Sequence, residues 1–226
     1  MELKQKIQQV QQRIAGACNR SGRDPSEVRL IVVTKTHPAK IAQAVIDAGI
    51  ADIGENRVQE IELKAPQLQG QRVVHLIGHL QTNKIRKAVP LVDWIQSVDS
   101  VRLSEKLGET CRELNKKLSV LIEVNTSGEE SKNGCLPITE SISAIVESII
   151  SQPDLSLRGF MTIGPLTTDE TQIRNSFAQL RNIGKKFATH CTGRCELSMG
   201  MSSDFEIAIE EGSTMVRIGS SILGSR

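Results

Sequence analysis

A chain of 226 residues with 28 Lys and Arg against 26 Asp and Glu, a formal net charge of +2, lacks the clustered cations of a nucleic-acid-binding surface. No stretch approaches the roughly 18 consecutive apolar residues of a membrane span, and Met1-Glu2-Leu3-Lys4 opens into a Gln-rich amphipathic helix instead of a signal-peptide core, so the cytoplasm is the expected compartment. Five cysteines, Cys18, Cys111, Cys135, Cys191 and Cys195, are odd in number and scattered, which suits reduced thiols better than a disulfide framework, and the Cys191/Cys195 spacing, with no second pair, is not a zinc-knuckle spacing.

Leu3, Ile7, Val10, Ile14 and Ala17 recur at helical spacing before Asn19-Arg20-Ser21-Gly22, which predicts an N-terminal helix. Strands are then predicted near 29–34, 51–54, 73–78, 93–97, 119–125, 157–161, 195–198 and 214–218. Helical stripes fill the intervals: Ile41, Val45, Ile46 and Ala48; then Ile138, Ile142, Ile145, Val146, Ile149 and Ile150; then Phe177, Leu180, Ile183 and Phe187. Eight strand–helix units in this length predict an α/β fold, a single (β/α)8 TIM-type barrel domain over 1–226 with an extra N-terminal helix. The same alternation also permits an open doubly wound sheet. The polar connections 125–134 and 164–169 both follow predicted strands, which in a barrel places them at the catalytic mouth. No linker marks a second domain, and a monomer is expected.

The run Leu30-Ile31-Val32-Val33-Thr34 reads as a fully buried parallel strand, and Lys35 follows it directly, before Thr36-His37-Pro38 opens a helix. Pointing inward above Val33 and Ile31, its amine would lose hydration and titrate lower, which suits attack on an aldehyde. Pointing outward, it is a solvated lysine at a strand end. The last predicted strand places Arg217 inside an apolar run, where a guanidinium must be paired or aimed at a ligand. Glu123 and Glu196 are its candidate core partners. Gly219 and Ser220 beyond it, with Ser198-Met199-Gly200-Met201-Ser202-Ser203 after the seventh strand, fall where barrels build phosphate sites. Ser202 or Ser203 equally suits the N-cap of the helix through Phe205, Ile207, Ala208 and Ile209. Polar residues also gather at the other strand ends: Asn56 and Arg57, His79, Asp99, and Asn125. Asp99 or Ser100 suits a helix cap, and His75 and His79 read as structurally satisfied histidines, so no metal site is expected.

An aldehyde-accepting lysine, a phosphate cup and an arginine on one rim point to pyridoxal 5'-phosphate (PLP). The segments Val33-Thr34-Lys35-Thr36-His37-Pro38-Ala39, Gly54-Glu55-Asn56-Arg57-Val58-Gln59-Glu60, His75 to Lys84, Leu197 to Ser202 and Ser213 to Gly219 span nearly the whole chain. Together they resemble the pyridoxal-phosphate homeostasis proteins, fold-type III PLP-binding barrels. The resemblance implies a barrel like the alanine racemase N-terminal domain. It implies PLP on Lys35 as a Schiff base, Arg217 facing the pyridine nitrogen, and Ser198, Gly219 and Ser220 holding the phosphate. Asn56 and Met161 would approach the ring, and PLP-dependent apoenzymes would be partners. Val74 stands where the family often has an aromatic residue, Ser220 where it often has Thr, and Leu223 where it often has Phe. Only Ser220 touches the implied site, and it keeps a hydroxyl.

An arginine facing the pyridine nitrogen leaves it unprotonated and a weak electron sink, which disfavours carbanion chemistry. A racemase also needs an acid/base on each face of the substrate carbon. In the racemase fold the second base is a tyrosine from an added domain, whereas this sequence has no tyrosine and reaches Arg226 just after the predicted barrel closes. The expectation is a non-catalytic protein that stores, buffers or delivers PLP. An amino-acid racemase using His79 or Lys132 as second base, and a sugar-phosphate aldolase using Lys35 directly, remain as alternatives. Lys132, in the polar loop after the fifth strand, reads either as a residue that passes the aldehyde on or as a solvated loop lysine.

Overall fold

The computed structural model describes residues 2–224; Met1, Ser225 and Arg226, at the ends of the expected domain, lie outside the described residues. Eight parallel strands close into a barrel in chain order: β1 Arg29–Val33, β2 Asp52–Glu55, β3 Val73–Leu76, β4 Trp94–Val98, β5 Leu118–Glu123, β6 Leu155–Met161, β7 Glu196–Ser198 and β8 Met215–Ile218. Pairing of β1 with β8, Ile31 opposite Arg217, closes the sheet and rules out the open doubly wound alternative. The strands are joined by helices: α2 Ala39–Asp47, α3 Val58–Lys64, α4 Ile85–Ala88, α5 Val101–Glu113, α6 Thr139–Ile150, α7 Glu170–Phe187 and α8 Phe205–Glu210; α9 Ser220–Leu223 follows β8. The predicted N-terminal helix is α1 Leu3–Arg20, which packs Ile7, Val10, Ile14 and Ala17 inward against α8 and α9.

Side-chain alternation divides the apolar residues into two layers. Outward positions such as Val32, Ile53, Leu76, Ile95 and Val216 join the helix stripes in one cluster. Inward positions Ile31, Trp94, Leu121, Met161 and Met215 fill the barrel itself. Each fully buried side chain of this size contributes about 1.5–3 kcal/mol relative to exposure. Where β6 passes β7, a Cβ on Gly159 would stand 2.0 Å from Glu196 O, and its φ of 142° is one that only glycine adopts freely. Ser100 caps α5 by accepting from Leu103 N–H, whereas α8 begins after Asp204 and neither Ser202 nor Ser203 caps it. The expected cap fails there because Asp204, closer to the helix, turns its carboxylate back to the Met201 N–H (2.6 Å).

Candidate functional site

Lys35 stands just beyond β1 at the C-terminal mouth of the barrel, followed by a residue in an unfavourable conformation. Thr36 has φ +66°, a left-handed value that a β-branched residue adopts only under external constraint. The constraint is a buried polar cluster between β1, β2 and α3. The Thr36 N–H donates to Glu60 Oε2 (2.5 Å), and Lys64 Nζ donates to Glu60 Oε2 (3.2 Å), to Glu55 Oε1 (2.7 Å) and to Thr34 O (2.8 Å). Thr34 Oγ1 also donates to Glu55 Oε1 (2.6 Å). Burial alone would push Glu60 up, but the Thr36 N–H and the Lys64 ammonium hold it below the ordinary carboxylate value. In Glu55 burial wins over Lys64 and Thr34, and its carboxyl is raised. The backbone on both sides of Lys35 is thereby fixed by side chains that do not enter the cavity.

That cavity, of about 500 Å³, is lined by Lys35, Asn56, Glu123, Arg217, Gly219 and Ser220 among others, a volume suited to a small cofactor. The Lys35 amine makes no hydrogen bond or ion pair among the described residues. Arg217 Nη1 donates to Ser198 Oγ (2.7 Å) and Nη2 to Thr162 O (2.8 Å). Burial pulls its pKa down to about 10 while Glu123 and Asp204 act the other way, so it stays charged at neutral pH. Neither core partner expected for it forms an ion pair with it among the described residues, and Glu196 instead accepts from Thr214 Oγ1 (2.5 Å).

Five of the seven residues expected at the site therefore meet in one cavity, and the other two, Ser198 and Met161, are buried and do not line it. Ser198 is 0% exposed, and its hydroxyl is shared between Arg217 and Gln96. It braces the guanidinium, and the phosphate contact expected of it does not fit this placement. The cause is strand parity: Ser198 is the last residue of β7 and points into the barrel, opposite Met161 on β6. Met161 is 0% exposed, packs with Ile31, Trp94 and Leu121 inside the barrel, and is not among the residues that line the cavity. Ser202 and Ser203 line the cavity together with Gly219 and Ser220 and add two hydroxyl-bearing residues to that side. Ser202 Oγ accepts from the Ser221 N–H (3.3 Å), tying the two turns together. His75 is buried against Asp52, and His79 faces Asp99 (3.5 Å), so both histidines have structural partners. No cluster of metal-ligating side chains occurs among the described residues.

Glu123 is a further cavity residue that the sequence offered only as an ion-pair partner. It is 3% exposed, and its Oε2 is buried with no hydrogen-bond partner among the described residues. Burial pushes its pKa up to about 7 from 4.5, with Arg217 opposing. Between those two values the folded chain holds a proton here that the unfolded chain releases. The associated stability is present below pH 4.5 and is lost as pH rises through about 7. Unliganded Glu123→Gln is therefore expected to exceed the parent in stability at pH 8 by up to about 3 kcal/mol, the gap closing toward pH 4. Denaturant titrations at both pH values measure this, and a pH-independent gap would contradict it.

A family model described as "Alanine racemase, N-terminal domain" matches residues 5–226. The chain is 39% identical over 221 residues to the pyridoxal phosphate homeostasis protein of Pseudomonas aeruginosa, covering 97% of this chain and 94% of that one. It is also similar to a crystal structure of an unknown protein from Bifidobacterium adolescentis (42% identity, TM-score 0.91, 98% and 94% of the two chains covered). PipY of Synechococcus elongatus PCC7942 with PLP bound is 33% identical with a TM-score of 0.83, over 99% of this chain and 100% of that one.

Proposed function

This chain belongs to the pyridoxal phosphate homeostasis protein family, and on that premise we propose that it is a PLP carrier, retaining the cofactor reversibly on Lys35 and releasing it to PLP-dependent apoenzymes. The observation that carries the reading is the Lys35 amine, at the cavity mouth without a counter-ion among the described residues. The fit is supported by two lining residues with hydrogen-bonding capacity to spare: Glu123, whose buried Oε2 has no partner among the described residues, and Arg217, whose five N–H groups exceed the two bonds to Ser198 and Thr162. PLP supplies an aldehyde for the lysine and, in enzymes, an electron sink. Arg217 would supply a donor to the ring nitrogen, and Gly219 and Ser220, joined by Ser202 and Ser203, would supply N–H and O–H groups to the phosphate, all of them lining the cavity. Asn56, the residue after β2, would border the ring.

Carriage is favoured over racemisation by the state of the remaining acids and bases. Lys132, one candidate second base, donates to Glu129 Oε1 (2.8 Å) and Gly164 O (2.6 Å) and is tied into its loop. His79, the other, faces Asp99 at 3.5 Å. The sequence has no tyrosine. Purified protein incubated with PLP and dialysed is expected to keep a visible absorption band without exchanging the α-hydrogen of amino acids. Exchange at enzyme-like rates would make it a racemase, and a colourless protein would turn the reading toward direct attack of Lys35 on a sugar phosphate.

A further inference from the structure

Arg217 is one end of a row of hydrogen bonds that crosses the barrel interior. Ser198 Oγ accepts from Arg217 and donates to Gln96 Oε1 (2.7 Å), Gln96 Nε2 meets His75 Nδ1 (3.0 Å), and His75 Nε2 meets Asp52 Oδ1 (2.9 Å). Strand register assembles the row: His75 lies opposite Trp94, two residues before Gln96, and Ser198 lies opposite Met215, two residues before Arg217. His75, Gln96 and Ser198 are all 0% exposed, at positions where a barrel ordinarily carries apolar layers.

The direction of every bond is dictated from the cavity end. A guanidinium only donates, so Ser198 must accept from it and pass its own proton to an acceptor. That acceptor is the Gln96 oxygen, which turns the amide nitrogen toward His75. The amide's two hydrogens then have two acceptors, His75 Nδ1 and Met215 Sδ (3.9 Å). With Nδ1 accepting, the imidazole proton sits on Nε2 and is donated to Asp52. Burial pulls the His75 pKa down, against the opposite pull of Asp52, and Arg29 and Asp93 are the other charged groups acting on it. Trp94 stacks on the ring with centroids 5.5 Å apart. The imidazole is thus held neutral, in one tautomer and one orientation.

We propose that His75 is a positioning residue for Arg217: as the Nε2–H tautomer it holds the Gln96 amide, and through Ser198 the guanidinium, in the orientation that offers the remaining Arg217 N–H groups to the ring of PLP. The proposal rests on the carrier reading for its ligand. His75→Leu removes the Nδ1 acceptor and frees the amide to turn, and is expected to weaken PLP binding about tenfold and to shift the absorption band of the bound cofactor. His75→Asn, whose carbonyl reaches the same place as Nδ1, should restore both. In a Ser198→Ala background, where the row is already cut, His75→Leu should have no additional effect on affinity or band. Equal effects of His75→Leu with and without Ser198, or none in either, would overturn the proposal. Imidazole 15N spectra of the unliganded parent test the row without PLP and without any variant. A single Nε2–H tautomer at neutral pH is expected, and a mixture or a doubly protonated ring would refute it. Failure of the parent to retain PLP would sink the carrier reading and leave the spectra to decide on the row.

Discussion

Lys35→Ala is expected to lose the dialysis-resistant band completely and to show no cofactor mass after borohydride reduction. Its stability should stay within about 0.5 kcal/mol of the parent, because the side chain is half-buried and makes no bond among the described residues. The contrast is informative because the neighbouring anchors do not depend on the amine. Arg217, Gly219 and Ser220, the proposed non-covalent anchors, line the cavity independently of Lys35, so the variant should still quench or shift added PLP at higher concentration. A persistent covalent adduct would relocate the attachment, and Lys132, whose Nζ lies on the Gly164 carbonyl at the far side of the mouth, would be the first lysine to map.

Lys64→Met is expected to give the largest loss of stability. Lys64 is 6% exposed and Glu55 2% exposed, and the substitution leaves the Glu55 carboxylate buried without its cation. Removing one partner of such a pair costs about 3–5 kcal/mol, which for a domain of this size is a fall in Tm of about 10 °C or more. Glu55→Gln combined with Lys64→Met should recover much of that, since no charge is then stranded. Thermal unfolding of the two variants and the parent measures it, and a double variant no better than the single one would show that Lys64 acts through packing instead of charge. The single variant should also loosen the left-handed Thr36, so PLP capture by Lys35 should slow even at temperatures where the protein is folded.

The strands were legible because a parallel barrel writes them as apolar β-branched runs closed by polar residues, and each predicted strand lies within two residues of its observed ends. Lys35, Arg217 and Gly219 were legible for a related reason: a charge or a glycine breaking such a run must have a structural or chemical cause. Ser198 and Met161 lie outside the cavity lining because sequence position gives the strand end but not the side chain's neighbours: the Ser198 hydroxyl is taken up by Arg217 and Gln96, and Met161 packs inside the barrel. Glu60 and Lys64 carry no such signal. They look like any i,i+4 pair on a helix, and only the approach of α3 to the end of β1 turns them into the support for Thr36. Gln96 was equally silent, and His75 could be read only as a structurally satisfied histidine, since inward-facing polar residues acquire meaning only from cross-barrel neighbours distant in sequence.

The lysine and the arginine are braced from opposite sides of the sheet. Lys35 is held from outside, by carboxylates and an ammonium on β2 and α3, whereas Arg217 is held from within, by hydroxyl and amide groups on β7 and β4. The two supports share no residue. The wall between them, formed by side chains such as Ile77, Ile163 and Met201, belongs to neither. Size and shape of the chamber are therefore free to drift by changes in that wall while the spacing between amine and guanidinium stays constant, which separates what a barrel of this kind can grip from how it grips.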